Sequence, residues 1–284
     1  MTNRLELRRG MSIMELVVGM VILAIIGMAL TRIMVSQARY FDHQKTANRA
    51  RNVSRGPLNR VVSDLRMVEA QGGIEAASAT SVTARVPFAI GLVCVTNSNG
   101  TQISLLPVDS AMYAAPGYSG YAWRDGQGQY HYRMAGSFKD DNAGDLAACT
   151  ASGVATLTAN KGKVVRVTPK MSDTASIGTP VFLVRIIKYE FKPSVAIPGS
   201  VGLFRTVVST GTEEELSGPY ANDAKFRFYV GSSTSPQAAP PADLSRLRGL
   251  ELNMTGLSET TPRGAIERQK APFVTAVFFK NRLN

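Results

Sequence analysis

Three features of this chain point to an α+β architecture. It would consist of a long N-terminal α-helix, membrane-spanning in its first half and amphipathic in its second, packed on an antiparallel, β-rich globular head. The first feature is an apolar run from Met11 to Thr31 that holds a single acid, Glu15. The second is a helical stripe, Leu58, Val61, Val62, Leu65 and Val68, just after the step Gly56-Pro57. The third is a series of strand-length runs, rich in β-branched and aromatic residues, that fills most of the remaining chain.

Taken in order, residues 1–10 form a short basic leader with Arg4, Arg8, Arg9 and a terminal Gly10. Met11 to Thr31 makes 21 residues, about 31 Å of helix against a hydrocarbon core of about 30 Å. The leader arginines should stay cytoplasmic, with the rest of the chain on the opposite side. Glu15 then lies near the cytoplasmic edge of the bilayer, where a carboxylate still opposes insertion and calls for a partner.

The helix should continue beyond the membrane through a basic stretch, Arg32, Arg39, Lys45, Arg49, Arg51 and Arg55. Gly56-Pro57 should kink or break it, because proline lacks a backbone donor and disfavours helix at the residue before it. The stripe from Leu58 to Val68, flanked by Arg60, Asp64, Arg66 and Glu69, follows the i, i+3, i+4, i+7 pattern of a helix lying on a sheet. Gly72-Gly73 ends it. The helical region is therefore 11–71, its transmembrane part 11–31, and the head 72–284.

Within the head, strands are expected at 81–86, 88–95, 101–106, 129–134, 154–158, 163–168, 181–191, 203–208, 225–230, 246–254 and 273–280. Pro107–Gly128 reads as an irregular loop with aromatic anchors. Ser232–Asp243 and Thr255–Lys270 read as surface loops, and no internal repeat is visible.

The whole chain has 284 residues and a formal charge of +11; loss of residues 1–10, with three arginines and one glutamate, leaves +9. That charge suits solubility and attraction to anionic lipid, and it also admits phosphate contacts from the basic helix and from Arg246 and Arg248. Nucleic acid is not an expected partner, because the charge is unfocused. Two cysteines, Cys94 and Cys149, would form a disulfide in an oxidising compartment or stand as two separate buried thiols.

The N-terminal segment resembles that of type IV pilins and of the pseudopilins of type II secretion: a basic leader, Gly10, the hydrophobic Met11, and Glu15 five positions past the glycine. The resemblance implies cleavage after Gly10 by a prepilin peptidase and N-methylation of Met11. It also implies a helix first held in the inner membrane and later packed in a filament. There Glu15 would pair with the N-terminal amine of a neighbouring subunit. Expected partners are other pilin or pseudopilin subunits, the prepilin peptidase, the inner-membrane assembly platform and inner-membrane lipids, with the head periplasmic. An ordinary secretory signal would be cut after its apolar region, where only Val35-Ser36-Gln37-Ala38 offers a weak site.

The C-terminal half carries, in order, Val181–Phe191, Gly202-Leu203-Phe204-Arg205, Phe226-Arg227-Phe228, Arg248-Gly249-Leu250 and a last run ending in Phe279-Lys280-Asn281. This order is similar to the large minor pilins of the W type and to the J-type minor pseudopilin. It implies a structural tip or assembly-priming subunit. Residues 75–175 carry no such likeness. Two readings from other classes stay open: a tip module that binds DNA or a surface, and a signal-anchored periplasmic protein without a filament role.

Chemistry is sparse. His43 and His131 are the only histidines. There is no Cys/His metal spacing, nucleophile elbow or phosphate loop, so a non-enzyme without cofactor is expected. The best metal candidate is Asp140, Asp141, Asn142 and Asp145, whose hard oxygens suit Ca²⁺ but whose order reads more simply as a turn. Glu213-Glu214-Glu215 reads as a solvated acidic loop.

Overall fold

The computed structural model of the protein describes residues 12–56, 58–69, 71–112, 117–134, 136–140, 143–156, 162–172 and 175–279. Helix α1 (Ile13–Arg55) runs for 43 residues, about 64 Å. Its apolar half is hydrophobic all round, so propensity and not packing shapes it. Gly56 closes it, donating its N–H to the Asn52 carbonyl at 3.2 Å. Helix α2 (Leu58–Arg66) follows at once and buries Leu58, Val61, Asp64 and Leu65. Gly56 is itself right-handed helical (φ −56°, ψ −57°), and Pro57, where a kink or break was expected, lies outside the described residues. The expected helix to residue 71 stops at Arg66, yet Val68 stays fully buried. Gly72 turns the chain at φ +74°, a conformation that favours glycine.

Thirteen strands form one antiparallel sheet. They are β1 (Ile74–Ala77), β2 (Ser81–Asn97), β3 (Gly100–Leu105), β4 (Gly120–Arg124), β5 (Tyr130–Met134), β6 (Ser137–Asp140), β7 (Val164–Thr168), β8 (Pro180–Pro193), β9 (Val201–Val207), β10 (Thr212–Tyr220), β11 (Lys225–Val230), β12 (Leu247–Leu257) and β13 (Lys270–Phe278). Two short helices, α3 (Pro107–Met112) and α4 (Ala143–Ala151), interrupt them. The α+β class expected from the sequence is therefore the architecture observed. The main path runs β11-β12-β10-β9-β8-β2-β3-β7-β6, with β13 on β12, β1 on β2, and the β4–β5 hairpin on β8.

Strand β8 is the spine. One edge pairs with β2 from Pro180 to Glu190. The other pairs with β4 through Val181–Val184 and with β9 through Ile187–Pro193. Two cores result. In the larger, Leu58, Val61 and Leu65 of α2 pack on Val82, Ala84, Ile187 and Leu203 and reach Phe226 and Leu252. In the second, Ala89, Ile103, Tyr121, Val165 and Leu183 pack together. The changeover falls at Pro87, where the β2–β8 register shifts.

Several expectations are corrected. The runs 81–86 and 88–95 are one strand bent at that irregularity. Residues 154–156 are not strand, and 157–158 lie outside the described residues. Pro107–Gly128 is not all loop: it contains α3 and β4, and the short β4 exists because β8 offers it a free edge. Glu213-Glu214-Glu215 lies in β10, paired with β9, not in a loop. Thr255–Leu257 extends β12. In each case pairing with a neighbour, not local propensity, decides the conformation.

Cys94 on β2 and Cys149 on α4 are disulfide-bonded, with Cα atoms 4.8 Å apart and a sequence separation of 55. With Val164 they form a small third cluster that ties α4 to the sheet. The alternative of separate thiols is set aside.

Replacing both cysteines by alanine should lower unfolding stability by up to about 4 kcal/mol in the chain-entropy picture, read by denaturant titration without reductant. A second test concerns Gly256 on β12, where a Cβ would run into the Ala50 carbonyl oxygen and lie 2.7 Å from Ser54 Oγ. Gly256→Ala should force α1 off the sheet and cost roughly 1–3 kcal/mol, seen as a lower melting temperature.

Candidate functional site

The first half of α1 stands clear of the head. From Ser12 to Phe41 no residue is buried, and large side chains such as Ile13 (84% exposed), Leu23 (69%) and Ile25 (63%) face outward on every side. This one helix is long and apolar enough to cross a membrane. Such a surface demands an apolar environment from outside the molecule. Glu15 sits in its first turn, where Oε2 accepts from the Ser12 N–H at 3.1 Å. The Ser12 hydroxyl in turn accepts from the Met14 N–H at 3.3 Å. This is a capping box, legible as Ser12-x-x-Glu15 but missed in the sequence reading. It gives Glu15 a role within its own helix. Gly10 and Met11 lie outside the described residues.

The second half of α1 docks through close backbone approach. Thr46, Ala50 and Ser54 form the buried seam. Pro57 has no N–H, so the Val53 carbonyl has no helical partner four residues on. The head supplies two: Ser217 Oγ donates to it at 2.7 Å and Tyr220 Oη at 3.0 Å. Nearer the membrane half, the Arg263 N–H donates to Asp42 Oδ2 at 2.8 Å. Arg49 and Glu259 form an exposed pair at 3.6 Å, worth little. His43, half-buried, lies at this docking edge.

A charged cluster joins α2 to the sheet. Asp64, nearly buried, accepts from Tyr189 Oη at 2.6 Å and from Arg205 Nε at 3.4 Å. Arg60 approaches its other oxygen at 3.8 Å. Burial, reinforced by the Asp64 charge, pushes the Tyr189 hydroxyl far above the usual tyrosine range. Asp64 thus sits in a helix stripe as an internal counter-ion, a role its flanking position did not reveal.

The other sequence candidates have structural partners. Asp145, at the start of α4, receives Gln102 Nε2 at 2.7 Å and is ion-paired with Arg166, so it is turned into the fold. Asp140 ends β6, and Asp141 and Asn142 lie outside the described residues. Among the described residues no group of His, Cys, Asp and Glu side chains could hold a metal. His131 Nε2 lies 2.8 Å from Asp125 Oδ2, its ring stacked on Trp123 at 5.2 Å. That hydrogen bond, with the Gln129 and Gln127 N–H groups, holds the Asp125 carboxyl below its ordinary range. Glu213 pairs with Lys192 at 2.6 Å, and Glu215 caps the 194–196 turn through Ser194 Oγ, Val195 N and Ala196 N. Arg248 donates to the Ser233 carbonyl at 2.7 Å and so is committed to the head.

No family model, no curated protein and no solved structure matches this chain.

Removing both donors to the Val53 carbonyl, as Ser217→Ala with Tyr220→Phe, should cost about 1–3 kcal/mol through one unsatisfied backbone group. Hydrogen exchange in residues 46–55 should speed up, while β2 and β8 keep their protection.

Proposed function

We propose that this chain is a membrane-anchored subunit of a pilin-type filament: a minor pilin or pseudopilin that forms part of the tip, or primes assembly, of a type IV pilus or a type II secretion pseudopilus. The observation that carries the reading is the apolar half of α1. It has no partner within the described molecule, yet bears a carboxylate at its very start, next to a basic leader ending in Gly10. Prepilin peptidase would cut after Gly10, and Met11 would become the N-methylated N-terminus. The leader arginines place the head in the periplasm. Arg32 and Arg39 come to lie at the outer lipid surface.

The mechanism is structural, without turnover. In the bilayer the capping box holds Glu15 against its own backbone. In the filament the helix exchanges lipid for neighbouring apolar helices, and the Met11 amine of an adjacent subunit approaches Glu15. A desolvated ion pair of this kind sets register more than it adds stability. The docked half of α1 and α2 would hold the head at a constant angle to the filament core. The capping box also favours a second reading, a simple anchor in which Glu15 serves only its own helix.

Two measurements separate these. The intact mass and first residue of the protein from native membranes should correspond to N-methylated Met11; a chain starting at Met1, or cut after the apolar run, excludes filament processing. Glu15→Ala should leave membrane insertion intact, since lost capping costs only about 1 kcal/mol, but should remove the subunit from sheared filaments. Equal incorporation of the variant would leave the anchor reading.

A further inference from the structure

Where α2 crosses β8 and β9, three guanidinium groups gather around one carboxylate. Arg60 comes from α2, Arg185 from β8 and Arg205 from β9, and with Ser63, Asp64 and Phe88 they line a cavity of about 220 Å³. Asp64 is already shared by Tyr189, Arg205 and Arg60. Glu214, exposed, reaches Arg205 at 3.4 Å. Arg185 is left over. Its Cζ lies 4.0 Å from the Phe88 ring centroid, and its Nε and Nη2 are closed off from solvent without a hydrogen-bond partner. Burial first, and then the Arg205 and Arg60 charges, disfavour its charged form; Asp64 opposes them. Those two nitrogens are out of a ligand's reach, but the half-buried guanidinium as a whole lines the cavity beside Arg60 and Arg205, and three guanidiniums against Asp64 and Glu214 leave a surplus of positive charge that suits a planar anion.

The cavity does not end at the arginines. It shares Met67, Pro87 and Phe88 with an adjoining space of about 320 Å³, which Ile90, Phe182 and Asp109 complete. That floor is apolar apart from Asp109, which accepts the Ile90 N–H. Positive charge at one end and half-buried aromatic surface at the other define the occupant by complementarity: an anionic head with a short apolar body.

We propose that this groove binds a carboxylate joined to a short apolar group, the chemistry of a peptide C-terminus that ends in an apolar residue. The carboxylate would sit by Arg185 and Arg60, and the apolar part on Phe88, Met67 and Phe182. The inference stands on the head alone and does not depend on a filament role. A free fatty carboxylate shares this chemistry, and the test separates the two sources.

Full-length protein in a nonionic detergent would be titrated calorimetrically with N-acetylphenylalanine, N-acetylphenylalaninamide, hexanoate and inorganic phosphate. The acid should bind saturably and at least about tenfold more tightly than the amide, as loss of a charge-assisted contact requires. Arg185→Gln should remove that preference while leaving the ligand-free melting temperature nearly unchanged, because Arg185 Nε and Nη2 make no hydrogen bond that would be lost. Arg60→Gln, on the exposed face of α2, tests the same end of the groove should Arg185→Gln fold poorly. Tighter binding of N-acetylphenylalanine than of hexanoate assigns the groove to peptide termini; the reverse assigns it to free fatty carboxylates. Equal binding of acid and amide, phosphate binding as tight as the acid, no saturable binding at millimolar ligand, or indifference to both arginine variants overturns the proposal.

Discussion

The carbonyl of Val53 is where α1 is fastened to the head. Proline at 57 withholds the N–H that would satisfy it, and a buried carbonyl without a donor is unfavourable. Ser217 and Tyr220 of β10 fill the gap. That contact fixes the rotation of α1 about its axis and so decides which face of α2 meets the sheet. Leu58, Val61 and Leu65 fall on the larger core, and Asp64, on the same face, reaches Tyr189 and Arg205. Gly256 permits the approach, since any side chain there would strike Ala50. The carbonyl that a proline leaves without a helical donor thus serves as the point of attachment.

The second organising constraint is β8. Its length lets one strand border two cores, and its free edge is divided between β4 and β9. The changeover leaves a seam opposite Pro87, where β2 slips register and neither core closes fully. Arg185 lies on β8 between Val184, beside β4, and Ile187, in the larger core. The groove described above runs along this seam.

The apolar half of α1 belongs to a different regime. It is stabilised by helix propensity and by its cap, not by packing, and its side chains gain burial only from lipid or from other helices. The capping box matters here because it satisfies the Ser12 N–H and the Glu15 carboxylate together. Both would otherwise be exposed at the start of an apolar rod. The rest of the described chain is a packed sheet in which several acids, among them Asp145, Glu213 and Glu215, are paired or capped locally.

The apolar run, the α2 stripe and the strongest strands were legible in the sequence because each is a local periodicity or a local stereochemical fact. Val181–Phe191 announced itself as a strand through composition alone. The pairing of Cys94 with Cys149 was only one of two options, because spacing does not reveal proximity. Strands β4 and β10 were hidden: Tyr121 and Trp123 favour a strand but sit among Gly and Ala in a Gly-rich stretch, Glu213–Glu215 has poor strand propensity, and in both a neighbour supplies the ladder. Asp64 looked like a flanking charge and proved to be a buried counter-ion. The basic residues looked like a diffuse surface charge, yet Arg205 and Arg248 are engaged within the head, while Arg185 stacks on Phe88 with its Nε and Nη2 closed off from solvent. Local chemistry determined the elements and their breaks. Tertiary structure alone decided which charges meet, because that depends on crossings between segments more than a hundred residues apart.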